Sequence, residues 1–164
     1  MIRKLKKKDA PYMMEWMQDK TITCYFKTDF INFSMENVMD FINNSFNEEN
    51  QHFAIVDKDD NYLGTISLKN ISVENRNAEY AIVIRKSAQN KGIGMAASRG
   101  ILTYAFRTLK LEKVYLNVLA CNMNAIAMYE KLGFIREGLF IKHYRVGNIY
   151  HDICWYAIYK ENFK

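Results

Sequence analysis

Gln89-Asn90-Lys91-Gly92-Ile93-Gly94-Met95-Ala96 follows the apolar, strand-like run Ala81-Ile82-Val83-Ile84 and opens a segment with helical periodicity. A strand, a short polar turn with two glycines and a helix N-terminus together form a cradle for phosphate. Glycine lets the backbone come close, and the free N–H groups of the first helical turn point at the anion. Spacing excludes two large phosphate-binding classes. There is no Gly-x-x-x-x-Gly-Lys-Ser/Thr, and the third glycine of a dinucleotide fingerprint is missing, as is the acid-ended strand that should follow it.

Outward from this turn, the pattern gives one continuous alternation of elements. Residues 1–6 read as a short strand. Asp9 and Pro11 open a helix carrying Met13, Met14, Trp16 and Met17. A polar-aromatic segment runs over 25–33, and Ser34 caps a second helix with Asn37 at the N3 position of a capping box. Residues 52–56, 62–68 and 78–84 read as a three-strand meander. A helix follows over 92–109 and a strand over 114–119. A short helix capped by Asn122 or Asn124 ends at Gly133, which suits a left-handed C′ position. Two strands, 138–144 and 153–159, close the chain around a Val146-Gly147-Asn148 turn. The order β-α-α-β-β-β-α-β-α-β-β predicts a mixed α/β (α+β) domain. Strand 78–84, helix 92–109 and strand 114–119 have βαβ proportions, which makes those two strands parallel neighbours.

At 164 residues the chain is expected to be one domain, 1–164, without linker or repeat. A net charge of +5 favours an anionic partner only weakly. A nucleotide-type cofactor, a phosphorylated substrate, RNA or an acidic protein would each satisfy it. The basic run Arg3-Lys4, Lys6-Lys7-Lys8 is interleaved with Ile2 and Leu5, so we read it as the solvated edge of a strand and expect no nucleic acid. Cys24, Cys121 and Cys154 show no metal-ligand or disulfide spacing, so no metal is expected, and Cys121 and Cys154 beside apolar runs should be buried thiols. With no signal-like N-terminus and no stretch of about 18 apolar residues, a cytoplasmic protein without a membrane partner is expected.

The motif Gln-x-x-Gly-x-Gly-x-Ala after an apolar strand resembles that of the GNAT acyl-CoA N-acyltransferase superfamily. A second segment, Asn122-Met123-Asn124-Ala125-Ile126-Ala127-Met128-Tyr129-Glu130-Lys131-Leu132-Gly133-Phe134, resembles that family's Asn-x-x-Ala-x-x-x-Tyr-x-x-x-Gly-Phe segment, and the two lie in the family's order. The likeness covers essentially the whole chain. It is closest to the branch of ribosomal-protein N-terminal, spermidine and amino-sugar acetyltransferases. It implies a single domain whose mostly antiparallel sheet contains a splayed parallel strand pair, flanked by helices. It also implies acetyl-CoA as co-substrate, a primary amine as acceptor and, since dimers are frequent in that branch, a homodimer.

The resemblance assigns roles residue by residue. Gln89, Asn90, Lys91, Gly92, Ile93, Gly94, Met95 and Ala96 hold the pyrophosphate. Gln89 and Lys91 add side-chain donors, and any Cβ at Gly92 or Gly94 would push the phosphate away. Backbone groups of Ile82, Val83 and Ile84 pair with the pantetheine arm like an added strand, and one N–H there polarises the thioester carbonyl. Asn122 and Asn124 are cap residues, and one of them also bonds to the cofactor arm. Tyr129 is the catalytic acid, since a phenol is protonated at neutral pH. Glu79 is the base or orients a water, ahead of Glu74, His52 and His143. Tyr25, Phe26, Phe30 and Tyr144 line the acceptor side. Spermidine acetyltransferases present clustered carboxylates to a polycation. Residues 24–32 hold one acid, Asp29, and one lysine, Lys27, which favours a small amine such as an amino sugar over a polyamine or a basic protein N-terminus. An acyl-CoA sensor without turnover, and an RNA binder acting through Lys6, Lys7 and Lys8, are the competing classes.

Overall fold

The meander expected around the glycine turn becomes the centre of a seven-stranded sheet. The computed structural model describes residues 1–26, 28–146 and 148–163. In chain order the elements are β1 (Ile2–Lys4), α1 (Ala10–Met17), α2 (Lys20–Thr23), α3 (Met35–Asn43), β2 (Gln51–Val56), β3 (Tyr62–Ser72), β4 (Asn77–Ile84), α4 (Ile93–Thr103), β5 (Lys113–Leu119), α5 (Met123–Leu132), β6 (Ile135–Val146) and β7 (Ile149–Tyr159). The strands lie in the order β1-β2-β3-β4-β5-β7-β6. Neighbours are antiparallel except β4 and β5, the pair joined through α4. No helix among the described residues is long and apolar enough to cross a membrane.

Local chemistry accounts for the boundaries. Ser34 and Asn37 form the reciprocal capping box of α3, with Asn37 N–H donating to Ser34 Oγ at 3.2 Å and Ser34 N–H to Asn37 Oδ1 at 2.9 Å. Such a cap stabilises a helix by about 1 kcal/mol. Gly133 ends α5 at φ +98°, as a left-handed C′ residue does. The expected helix over 92–109 divides: α4 stops at Thr103 and a π-helical turn covers Tyr104–Thr108. The helix α2 is an addition that the polar-aromatic reading passed over, and Asp19 caps it by accepting from Thr21 N–H at 2.8 Å. Asp9 precedes α1 without capping it. Its carboxylate instead takes the Lys6 N–H at 2.8 Å and both terminal nitrogens of Arg3. The hairpin strands β6 and β7 each outrun the expected lengths, and Gly147 of the expected turn lies outside the described residues.

Two cores cover the two faces of the sheet. Under α4 and α5 lie Leu68, Ala78, Tyr80, Ile101, Leu102, Val114 and Leu116. Under α1 and α3 lie Met13, Trp16, Met17, Val38, Ala54, Val56, Tyr62 and Val83. Alternation along β4 therefore sends Ala78 and Tyr80 to one side and Val83 to the other. Cys154 is buried as expected, but Cys121 is exposed, because it stands in the turn after β5 has ended at Leu119. The basic run is solvated and locally paired: Lys6 and Lys8 reach Asp60 at 3.1 and 2.6 Å, each with its side chain about half exposed.

Candidate active site

The parallel ladder between β4 and β5 is only three residues long. Asn77 pairs with Lys113, Ala78 with Val114 and Glu79 with Tyr115, and there it stops. Beyond that point β4 stays paired with β3 as far as Ile84, and β5 with β7 as far as Leu119. The two strands have splayed apart, and the edge of β4 from Tyr80 to Ile84 that faces β5 carries backbone donors and acceptors with no ladder partner. This is the splay expected from the resemblance, with Ile82, Val83 and Ile84 along its open edge.

At the end of that edge the chain turns into α4. Asn90 and Gly92 both take left-handed conformations, at φ +60° and +73°. Asparagine is among the few residues that tolerate this, and Gly92 sets the last link before the first helical N–H groups. Within the chain itself the two glycines answer different demands. A Cβ on Gly92 would meet nothing within 4 Å, so its backbone angle is the requirement. A Cβ on Gly94 would lie 3.1 Å from Met128 Sδ, so that glycine lets α4 approach α5. The expected side-chain donors serve the loop itself. Gln89 Nε2 donates to Ile84 O at 3.0 Å, and Lys91 Nζ to Ser87 O at 2.9 Å. Arg85 anchors the start of the turn to α1 through two bonds to Glu15, at 3.1 and 2.5 Å, and one to Tyr62 O at 3.0 Å.

Tyr129 comes from α5, on the face of the sheet covered by α4 and α5. Its ring is 8% exposed, edge-to-face with Tyr80 at 5.9 Å and tilted against Phe134 at 5.8 Å. The hydroxyl makes no side-chain hydrogen bond among the described residues, yet it is not sealed: there, Trp155 Nε1 alone is a buried side-chain polar atom without a partner. Burial pushes the Tyr129 phenol well above the ordinary tyrosine value. Asn122 caps α5, its Oδ1 accepting from Ala125 N–H at 3.3 Å, and Asn124 is exposed in the first turn.

Glu79 sits on the last paired residue before the splay, on the opposite face of the sheet from Tyr80. Its Oε1 accepts from Lys69 Nζ at 2.9 Å and from Asn117 Nδ2 at 3.3 Å, and its Oε2 from Asn70 Nδ2 at 2.9 Å. These three holders were absent from the sequence reading. The available signal was Asn117 itself, a polar residue alternating with Leu116 and Val118 in an otherwise apolar strand. His52 lies on the same face, and its Nδ1 shares a 2.7 Å hydrogen bond with Ser67 Oγ.

On that face a cavity of about 430 Å³ opens between the α2 region and the β6–β7 hairpin, lined in part by Lys20, Phe26, Asp29, Phe30, Tyr144 and Arg145. Three of the four expected acceptor-side residues meet here. Tyr144 donates to Phe26 O at 3.0 Å across the opening, and Phe26 and Phe30 pack against Trp16, the first tilted and the second edge-to-face. Tyr25 does not join them and stands 46% exposed outside the lining. Lys27 lies outside the described residues.

Comparison with known proteins agrees with this geometry. The acetyltransferase (GNAT) domain family matches residues 1–135. The chain is 32% identical over 103 residues to a spermidine N(1)-acetyltransferase of Vibrio cholerae, covering 63% of this chain and 60% of that protein. It is 35% identical over 106 residues to a putative ribosomal N-acetyltransferase of Bacillus subtilis, covering 65% and 58%. The matched stretches thus span about three-fifths of these relatives. The crystal structure of the Vibrio cholerae spermidine N-acetyltransferase in complex with CoA and spermine superposes with a TM-score of 0.92 at 25% identity, covering 99% of this chain and 96% of that one.

Proposed function

Because this chain belongs to the GNAT acetyltransferase domain family, we propose that it transfers the acetyl group of acetyl-CoA to a primary amine by direct attack in a ternary complex. The observation that carries the reading is the three-residue β4–β5 ladder. It leaves an open strand edge that ends at a helix N-terminus. An extended arm bearing amides fits the edge as an added strand along Ile82, Val83 and Ile84, and a pyrophosphate fits the turn from Gln89 to Ala96. Asn122 and Asn124 flank the arm from α5. Acetyl-CoA supplies the activated acyl group, and no metal is required. As the resemblance implies, the protein would work as a single domain, in a cytoplasmic homodimer.

The chain's own residues manage two protons and one charge. Attack of the neutral amine forms a C–N bond and breaks the C–S bond. The departing sulfur needs a proton and the new ammonium must lose one. Tyr129 is the donor to sulfur: burial keeps the phenol protonated, so it has a proton to pass to the thiolate as the C–S bond breaks. A backbone N–H on the open edge of β4 stabilises the oxygen of the attacked carbonyl. Glu79 has its carboxylate held by three donors. We assign it to orienting the amine, or a water that takes the amine's proton, ahead of direct proton abstraction.

The acceptor enters the cavity bounded by Phe26, Phe30 and Tyr144. Its charged lining, one carboxylate against Lys20 and Arg145, favours a small amine with a neutral or anionic far end, such as an amino sugar, over a polycation. A second reading, a polyamine acceptor, is favoured by the likeness to the spermidine acetyltransferases. Thiol release from acetyl-CoA, measured against free and nucleotide-linked amino sugars, spermidine and basic peptides, decides between them. Release is expected with the sugar amines. Turnover confined to spermidine selects the second reading, and CoA binding without release from any amine selects an acyl-CoA sensor.

A further inference from the structure

Tyr80 is fully enclosed in the core under α4 and α5, a place where phenylalanine would fill the same space without a hydroxyl to satisfy. The hydroxyl is not idle. Ser98 Oγ donates to Gly94 O at 2.7 Å, and Tyr80 and Ser98 hydroxyls are 2.6 Å apart. Serine has a single hydroxyl proton, and Gly94 O takes it. The direction of the other bond follows: Tyr80 donates to Ser98. A two-bond chain therefore ties the Tyr80 ring to a carbonyl in the first turn of α4, within the proposed pyrophosphate cradle.

The other end of Tyr80 touches Tyr129. Three rings, Tyr80, Tyr129 and Phe134, pack with all centroid separations between 5.8 and 5.9 Å. Phe134 belongs to the cap of α5, its N–H bonded to Tyr129 O at 3.0 Å, so it moves with the helix that carries Tyr129. Tyr80 is the ring of this trio that comes from β4. Its edge-to-face contact, at an interplanar angle of 85°, is the favoured geometry for aromatic pairs. It holds the plane of Tyr129 against a different element.

We infer that Tyr80 is a positioning residue: anchored by Ser98 to the first turn of α4, it fixes the orientation of the Tyr129 ring relative to the donor cradle. The inference rests on the proposed role of Tyr129 as proton donor. It separates a hydroxyl that merely satisfies the core from one that sets catalytic geometry, where a misplacement of about 1 Å can cost about a hundredfold.

The test uses Tyr80→Phe, Ser98→Ala and the double variant, with Tyr129→Phe as reference. Steady-state thiol release is followed with acetyl-CoA and whichever of spermidine and glucosamine is turned over. Each single variant is expected to lower kcat about tenfold with KM for acetyl-CoA changed less than about twofold, and the double variant is expected to match the singles, because all three break one chain. A second readout needs no substrate. In protein with ring-labelled tyrosine, the NMR signal that vanishes in Tyr129→Phe is expected to shift in Ser98→Ala, although the hydrogen bonds of Ser98 run to Tyr80 and Gly94. An unchanged kcat in Tyr80→Phe and Ser98→Ala, or an unmoved Tyr129 signal in Ser98→Ala, overturns the inference. Full turnover in Tyr129→Phe instead removes the proton-donor reading beneath it, and the two failures are told apart by that reference variant.

Discussion

Tyr129 combines two properties that oppose each other in most side chains: a buried ring packed against Tyr80 and Phe134, and a hydroxyl without a side-chain partner among the described residues. Removing the hydroxyl tests the proton-donor role without opening a cavity. Tyr129→Phe is expected to lower kcat by about a hundredfold while CoA affinity, read by calorimetry, stays within about twofold. A large loss of affinity with unaltered turnover contradicts the role. At this scale the sequence was informative where a residue type sits in a motif, as with Tyr129, Asn122 and Gly92. It was silent where a side chain is held by partners distant in the chain. Lys69, Asn70 and Asn117 reach Glu79 from three positions on β3 and β5, and only strand register brings them together. The partners that Gln89 and Lys91 take within the loop were not legible for the related reason that a polar side chain in a tight turn finds the nearest backbone carbonyl first.

Elements were the most legible level, because hydrophobic period and cap chemistry are local. The 3.6-residue pattern after Ser34 and the glycine after Leu132 each marked a boundary that the backbone obeys. The end of α4 was not legible, since Tyr104 and Ala105 continue the helical pattern while the backbone widens to a π-turn. Two glycines make distinct demands on their elements. Gly64 on β3 pairs with Ile84 of β4, and a Cβ there would fall 2.2 Å from Val83 O, a backbone atom that cannot give way. Gly64→Ala is expected to destabilise the fold by about 2 kcal/mol or more, measured as a fall in the urea midpoint. Gly92 faces open space in a left-handed conformation, so Gly92→Asn should fold with little loss, asparagine tolerating that angle. Gly92→Asp is expected to fold equally well yet to bind CoA about tenfold more weakly, because it sets a negative charge where the pyrophosphate must lie. Equal affinity in the Asn and Asp variants would argue against this turn as the phosphate site.

For the molecule as a whole, His52 couples stability to acidity. Burial, with the nearby Lys69 charge, lowers its pKa from 6.5 to about 4. Below pH 6.5 the unfolded chain takes up a proton that the folded chain refuses until about pH 4. Stability therefore falls as pH drops through that window, by about 3 kcal/mol from this group. His52→Gln should flatten the dependence of the urea midpoint between pH 7 and pH 4, and an unaltered slope would remove His52 as its source. The overall architecture was readable from the order of elements, since a strand, helix and strand of these lengths can close only as a parallel pair. The point where that pair separates was not, because it depends on which residues of two strands fail to meet. That short ladder has a further meaning. On the proposed reading, an occupied edge gains main-chain hydrogen bonds contributed by the cofactor arm instead of the polypeptide. Unfolding and occupancy are then linked in a single equilibrium, and the chain kept from acetyl-CoA is expected to be easier to melt and to digest than the chain saturated with it.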